Sequence, residues 1–404
     1  MAPPRSTRTK HDPSTETWSA EPQLNLERLT ITEGKASNSD SASDIWLAID
    51  SVTGMRYVLK IFMENNKHPG LTYEQHVYRK VHELMEQTGV PYFVRPVATM
   101  QGRTYADLLR LYRSLHNTSN RRSLNTLSRN LAWAECATAR RNDEPPRPAI
   151  HDPVPTLPTR CRRLEQTIAQ RTFAVTITEF QSGGTITEWL QYSRKPDERL
   201  RLVIQAVAAI FLLHDHGIVH NDLHFGNILV RELPSAQHVT VTVDSSHSGE
   251  DPLRWSFVSR YLPMLYDYDQ ASTAELRNTH LSTYPVLAEC PFDDREDVGK
   301  FIKELKELAE YVPWIVTLFH DFAVYQRGEE SYSIPESRAQ LLHRLCSALP
   351  PTEPPTGMDC VHVSLRARSY GVSRCEPLAQ TAYLPRSSRN RAALPARMPL
   401  PKRW

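Results

Sequence analysis

No stretch of the 404 residues approaches the run of about 18 apolar residues that a membrane-spanning helix needs. The opening residues, MAPPRSTRTKHDPSTETWS, lack the apolar core of a secretory signal. An intracellular protein, cytoplasmic or nuclear, with no membrane partner is therefore expected. Cysteine is sparse: Cys136, Cys161, Cys290, Cys346, Cys360 and Cys375 stand far apart without C-x-x-C spacing, which fits reduced thiols and not a disulfide framework or a zinc knuckle. Charge of one sign is lacking too. With 48 Lys+Arg against 46 Asp+Glu the net charge is +2, so no global field recruits nucleic acid, and any such role would be local.

What is present suffices for a real core, since 40% of the chain is hydrophobic and its length allows one large domain or two lobes around a cleft. Residues 1–23 are rich in Pro, Ser, Thr and charge without periodicity, and are expected to be disordered because they bury too little apolar surface to offset ordering entropy. Residues 350–404 read similarly, as a disordered Pro/Arg-rich tail in which nine basic residues from Arg366 to Arg403 face Glu376 alone. Such a tail stays solvated or docks on an acidic surface or a protein partner.

Between these ends, RLTIT, DIWLAID and RYVLKIF alternate apolar and polar residues and are separated by turn signals, which predicts antiparallel strands. YEQHVYRKVHELMEQ places Val77, Val81 and Leu84 on one helical face, and FVRPVATM and FAVTITEF supply two more strands. An insertion, residues 103–168, interrupts those last two with a basic helical piece and a Pro-rich loop. Beyond Phe180 the pattern turns helical: TITEWLQYS, ERLRLVIQAVAAIFLLHDHG, DVGKFIKELKELAEYV and ESRAQLLHRLCSAL. The expectation is an α+β chain with a small antiparallel sheet lobe, residues 24–179, and a larger mainly helical lobe, residues 180–349.

The chemistry-bearing stretch is VHNDLHFGNILV, residues 219–230. Asp222 and Asn227 lie five apart between an apolar helix ending near Gly217 and the β-branched run from Ile228. A carboxylate and an amide on one rigid loop can orient a hydroxyl and hold a divalent cation against phosphate. His214, His216, His220 and His224 raise zinc as an alternative, yet no zincin spacing and no cysteine joins them.

The loop resembles the catalytic loop of the protein kinase superfamily, H-R-D-x-x-x-x-N, with His220, Asn221, Asp222 and Asn227 at the four positions. Chain order agrees: VLK upstream, a helix with a glutamate, a strand with an acidic end, this loop, then LYDYDQAS. The resemblance implies a bilobal kinase-like fold over residues 24–349 using ATP and Mg²⁺. In it Lys60 contacts phosphates, and Glu74, with Glu83 as fallback, positions Lys60. Asp222 is the base, and Asn227 and Asp267 are the metal ligands, with Asp269 second to Asp267. The nucleotide site would comprise Gly34, Ile45, Val58, Lys60, Thr178, Glu179, Gln181 and Leu229, with Thr178 as gatekeeper and the main chain of Glu179 and Gln181 meeting the base.

Departures narrow the likeness. EGKASNSDSASDIW lacks G-x-G-x-x-G, Asn221 replaces the arginine, Asp269 replaces the glycine of D-F-G, and no A-P-E follows. Losing that arginine removes the cation a phosphorylated activation loop would pair with. His224 stands where serine/threonine kinases carry a lysine. The D-Y-D and the histidine-bearing loop are similar to haspin, and the excursion between Val230 and Leu265, a predicted hairpin, is similar to haspin-like and large-DNA-virus kinases. Asp297 resembles the helix aspartate that anchors the loop's backbone. The activity implied is phosphoryl transfer from ATP to a protein serine or threonine. The alternatives are a small-molecule kinase of the choline or aminoglycoside type, and a pseudokinase scaffold binding protein partners.

Overall fold

A computed structural model describes residues 18–21, 24, 26–35, 43–63, 69–104, 107–108, 172–192, 195–244, 251–273, 275, 293–327, 330–350 and 358–370. It is an α+β protein with mainly antiparallel sheets. The first half forms β1 (Trp18–Ser19), β2 (Leu29–Lys35), β3 (Ser43–Asp50), β4 (Arg56–Met63), α1 (Pro69–Thr88), β5 (Pro96–Thr104) and β6 (Thr172–Glu179). The strands make one sheet in the order β1-β5-β6-β4-β3-β2. The sequence alternation becomes the two faces of this sheet: Trp46, Ala48, Tyr57, Leu59 and Ile61 are buried in a core beneath it, while Ile45, Val58 and Lys60 between them are half-buried on the other face.

The second half contains α2 (Ile186–Tyr192), α3 (Pro196–Asp215), β7 (Ile218–Val219), β8 (Ile228–Asp244), β9 (Leu253–Leu265), β10 (Ser272–Thr273), α4 (Asp294–Glu307), α5 (Pro313–Val316), β11 (Ala323–Arg327), β12 (Glu330–Ile334), α6 (Arg338–Ser347) and β13 (Cys360–Arg366). Helix α3 is apolar nearly all round and is buried from Leu202 to His214, so the larger core wraps it. Val77, Val81 and Leu84 of α1 belong to that larger core and not to the one beneath the sheet. The helix thus packs with the second half while Glu74 reaches Lys60 of the sheet.

The chain crosses between the halves at residues 180–185. There the Val230 amide donates to the Gly184 carbonyl at 2.9 Å, and a Cβ on Gly183 would run into the Val230 carbonyl. Gly183 is required here because only glycine lets the backbone pass this close over β8.

Three expectations are corrected. The head through residue 23 is not disordered throughout: Trp18–Ser19 pairs with β5, the Trp18 ring meets His82 edge-on at 5.0 Å, and Glu21 accepts from Arg95 at 3.0 Å and from Tyr57 at 3.1 Å. Residues 1–17 lie outside the described residues. Nor is the tail disordered from 350. Cys360–Arg366 adds a parallel strand to β8, because Val361, Val363 and Leu365 alternate onto α3 with His362 and Ser364 outward. The second half consequently extends past 349 to at least Tyr370. It also holds more sheet than "mainly helical" implied, since the hairpin expected between Val230 and Leu265 becomes β8 and β9, the middle and edge strands of a three-stranded sheet. Of the insertion 103–168, Thr104 ends β5 and Leu108 is buried; residues 109–168 lie outside the described residues.

The strand assignment for β13 carries a direct test. Val363→Asp puts an unpaired carboxylate into the core and is expected to cost on the order of 3 kcal/mol, whereas Ser364→Asp on the outward face shifts the denaturation midpoint little. Equal midpoints for the two variants would contradict the register.

Candidate functional site

Strand β4 carries Lys60 on its half-buried face, in register with Ile45 of β3 and Thr176 of β6. Its ammonium lies 2.9 Å from Glu74 Oε1 on α1 and 2.6 Å from Asp267 Oδ1, which follows β9. A strand, the helix that follows it and a segment 207 residues from Lys60 meet at one nitrogen. Burial works against the Lys60 ammonium, but the Asp267 and Glu74 carboxylates outweigh it and hold its pKa well above the ordinary range. Glu74 is pushed upward by its complete burial, against the pull of Lys60. Burial pushes Asp267 up as well, yet its contacts with Lys60 leave it below the usual carboxylate range. Asp267 is therefore the firmly ionised partner of the lysine. Glu83, the fallback, is exposed on α1 and takes no part.

The loop 219–227 is held from below by α4. Asp297, buried on that helix, accepts from the backbone N–H of His220 at 2.7 Å and of Asn221 at 2.9 Å, and its Oδ2 lies 3.0 Å from His214 Nε2. Burial would raise this carboxyl, but the His214 hydrogen bond, the imidazole charges and the backbone donor outweigh it and lower its pKa. One turn on, Lys300 donates to the Asn221 carbonyl at 2.7 Å, and Glu304 accepts from the Phe225 amide at 3.2 Å. Lys300 and Glu304 were not singled out from sequence, and His214 only as a possible zinc ligand; the i, i+3, i+7 spacing of Asp297, Lys300 and Glu304 on one helix face is the signal that could have found the first two.

Asn227 is buried and donates from Nδ2 to the Asp222 carbonyl at 3.0 Å, which ties the two ends of the loop together. Tyr266 secures the strand behind it, its amide donating to the Asn227 carbonyl at 3.2 Å and its hydroxyl to the Gly226 carbonyl at 2.8 Å. The Asp222 side chain is half-buried, and Asp269 stands near Asp222 and Asp267. Burial raises the Asp269 carboxyl, opposed by Lys60 and reinforced by those two acids. The three carboxylates make a locally negative site. The donor set of Asn227 and Asp267, an amide and a carboxylate, is hard oxygen and suits a divalent cation that keeps several waters. Among the described residues no group of three or more His, Cys, Asp and Glu side chains forms a metal cage. Three of the clustered histidines face different partners: His214 meets Asp297, His216 Nδ1 meets the Leu212 carbonyl and His220 Nε2 the Tyr266 carbonyl.

The remaining sequence-nominated residues are spread over β2, β4, β6, β8 and the crossing segment. Val58 and Thr178 are in register across β4 and β6, with Thr178 buried against Pro96 of β5. Glu179 gives its backbone N–H to the Arg95 carbonyl at 3.0 Å, so that amide is not available to a ligand. Gln181, two residues on, is half-buried. Leu229 is half-buried on β8 and bridges to Thr185. Gly34 pairs with Trp46 at the far end of β2, and residues 36–42 that follow lie outside the described residues.

Comparison with known proteins agrees in part. Over 193 residues the chain is 23% identical to the serine/threonine-protein kinase PLK4 of Nematostella vectensis, covering 39% of this chain and 19% of that protein. Over 65 residues it is 38% identical to the uncharacterized protein 035R of Invertebrate iridescent virus 3, covering 16% of this chain and 6% of that protein. The chain thus spans less than a fifth of the length of either relative. No family model matches it. Part of the chain is similar to a protein kinase, and no helix among the described residues is long and apolar enough to cross a membrane.

The Asp297 anchor predicts a pH dependence. Because its folded pKa lies below the ordinary 3.8, the stability it contributes is present above that value and is lost as pH falls through the depressed one. Asp297→Asn is expected to cost roughly 1–3 kcal/mol at pH 7, and the gap from the parent should close in denaturant melts taken progressively below pH 4. A gap independent of pH would show that the carboxylate charge is not what holds the loop.

Proposed function

We propose that the chain is an ATP- and Mg²⁺-dependent phosphotransferase of bilobal, protein-kinase-like architecture, acting on serine or threonine hydroxyls of a protein substrate. The observation that carries this reading is the Lys60 ammonium shared by Glu74 and Asp267, joining a sheet strand, a helix and the segment after β9 at one point. Part-length similarity to a serine/threonine kinase supports the acceptor class.

The residues divide the work by chemistry. Lys60, kept charged by its two acids, grips the phosphates of ATP. Glu74 fixes where that ammonium points. Asp222 accepts the proton of the acceptor hydroxyl as its oxygen bonds to the γ-phosphorus, while the bond from that phosphorus to the β,γ-bridging oxygen breaks and ADP leaves. Asn227, oriented by its bond to the Asp222 carbonyl, and Asp267 offer the oxygens that would hold Mg²⁺. When bound, the ion supplies positive charge against the phosphate oxygens. Ile45 and Val58 above and Leu229 below would sandwich the base, with Thr178 at its back. The carbonyl of Glu179 and the amide of Gln181 are the main-chain groups suited to its edge, since the Glu179 amide is already bonded.

The absence of a glycine-rich turn after β2 motivates the rival reading of a partner-binding scaffold, and the HND loop without A-P-E that of a small-molecule kinase. Labelled ATP offered with Mg²⁺ to mixed protein and metabolite acceptors separates all three. Label is expected in protein. Asp222→Asn is expected to lower turnover by about 10²–10⁴-fold with ATP binding retained, and Lys60→Ala to weaken both. ATP bound without any transfer sensitive to these variants would favour the scaffold, and label confined to a metabolite the small-molecule enzyme.

A further inference from the structure

Residue 221 sits at the tightest point of the loop. Its φ is 61°, in the left-handed region where side-chain-bearing residues are uncommon and asparagine is among those best tolerated. It is fully buried, with α4 holding both its backbone groups and the segment after Asp269 holding its side chain. The N–H goes to Asp297 at 2.9 Å, and the carbonyl accepts from Lys300 at 2.7 Å. The side-chain Nδ2 donates to the Gln270 carbonyl at 3.1 Å and to the Ser272 hydroxyl at 3.0 Å. The carboxamide therefore joins the residue just before Asp222 to the segment just after Asp269.

That segment also reaches α1. Ser272–Thr273 pairs as β10 with β7, Thr273 Oγ1 lies 3.4 Å from His76 Nε2, and Glu275 accepts from Lys80 at 2.8 Å. The Tyr268 ring meets Tyr78 edge-on at 5.3 Å. His76, Tyr78 and Lys80 follow Glu74 within two turns of the same helix.

We propose that Asn221 is a positioning residue, whose carboxamide clasps residues 270–272 to the loop and so fixes together the aim of Asp222 and the docking of α1 that brings Glu74 to Lys60. The proposal rests on the phosphotransfer reading for its catalytic consequence. An amide suits the place because it donates two N–H bonds to a carbonyl and a hydroxyl without charge, and accepts the left-handed backbone. An arginine there would bury a guanidinium against those same two neutral acceptors.

Asn221→Gly in the full chain keeps the backbone conformation and deletes both side-chain bonds, while Ser272→Ala deletes one. The expected result for Asn221→Gly is a loss of about 10- to 100-fold in kcat with KM for ATP unchanged within about twofold. Amide hydrogen exchange should rise at 219–223 and 268–275, with melting lowered only slightly. Ser272→Ala should fall between this variant and the parent in both readouts. Parent-like kcat and exchange in Asn221→Gly would overturn the proposal, and so would equal losses in ATP affinity, turnover and global stability. If the unsubstituted protein transfers no phosphate to any acceptor, the phosphotransfer reading fails by itself. Exchange then decides the clasp alone: a local rise in Asn221→Gly upholds it and an unchanged pattern refutes it.

Discussion

An ammonium withdrawn from water must find negative charge, and Lys60 finds it on two elements that its own strand never touches in sequence. Glu74 comes from α1, whose apolar face belongs to the core around α3, and Asp267 from the end of β9. The sheet cannot shift against the second half without stranding a buried charge. Much of the arrangement at the seam follows from keeping that nitrogen satisfied.

Beneath it a second buried charge does the same for the loop. Asp297 is tolerated in the interior because two backbone amides and His214 fill its oxygens. Those bonds leave residues 220 and 221 little freedom, and the left-handed turn at Asn221 persists because its surroundings over-determine it. Asp267, with φ of 65°, is the other non-glycine residue in that region among those described. Of the two left-handed residues, Asn221 immediately precedes Asp222, and Asp267 is itself one of the carboxylates proposed to do the chemistry. Their strain is offset by hydrogen bonds from α4 and by the ion pair with Lys60.

Much of this was readable before any coordinates. Alternation in RYVLKIF assigned Lys60 to one face of a strand, and the spacing of Val77, Val81 and Leu84 described the buried side of α1. The order of lysine, glutamate, loop and aspartate along the chain suggested that they meet. Other features stayed hidden for physical reasons. Trp18–Ser19 is too short to show a period, and it exists as a strand only because the edge of β5 is there to pair with. Cys360–Arg366 does alternate, but its apolar residues sit among prolines and arginines whose composition signals disorder, and burial against α3 overrides that signal. The clasp at Asn221 left no trace, since one asparagine in a polar loop is compatible with any turn.

The sequence by itself determined which stretches carry one apolar face, where the polar loop interrupts them, and which side chains bear oxygen or nitrogen at kinase-like spacing. Those properties are local, set by the 2.0 and 3.6 residue periods of the backbone. Tertiary structure decided which charges share a partner, as in the contact between Lys60 and Asp267 across 207 residues. It also decided that β13 completes the sheet on α3 and that Asp297 ends beneath the loop. Such meetings depend on how two cores close on each other, and closure is a property of the packed whole that no window of sequence contains.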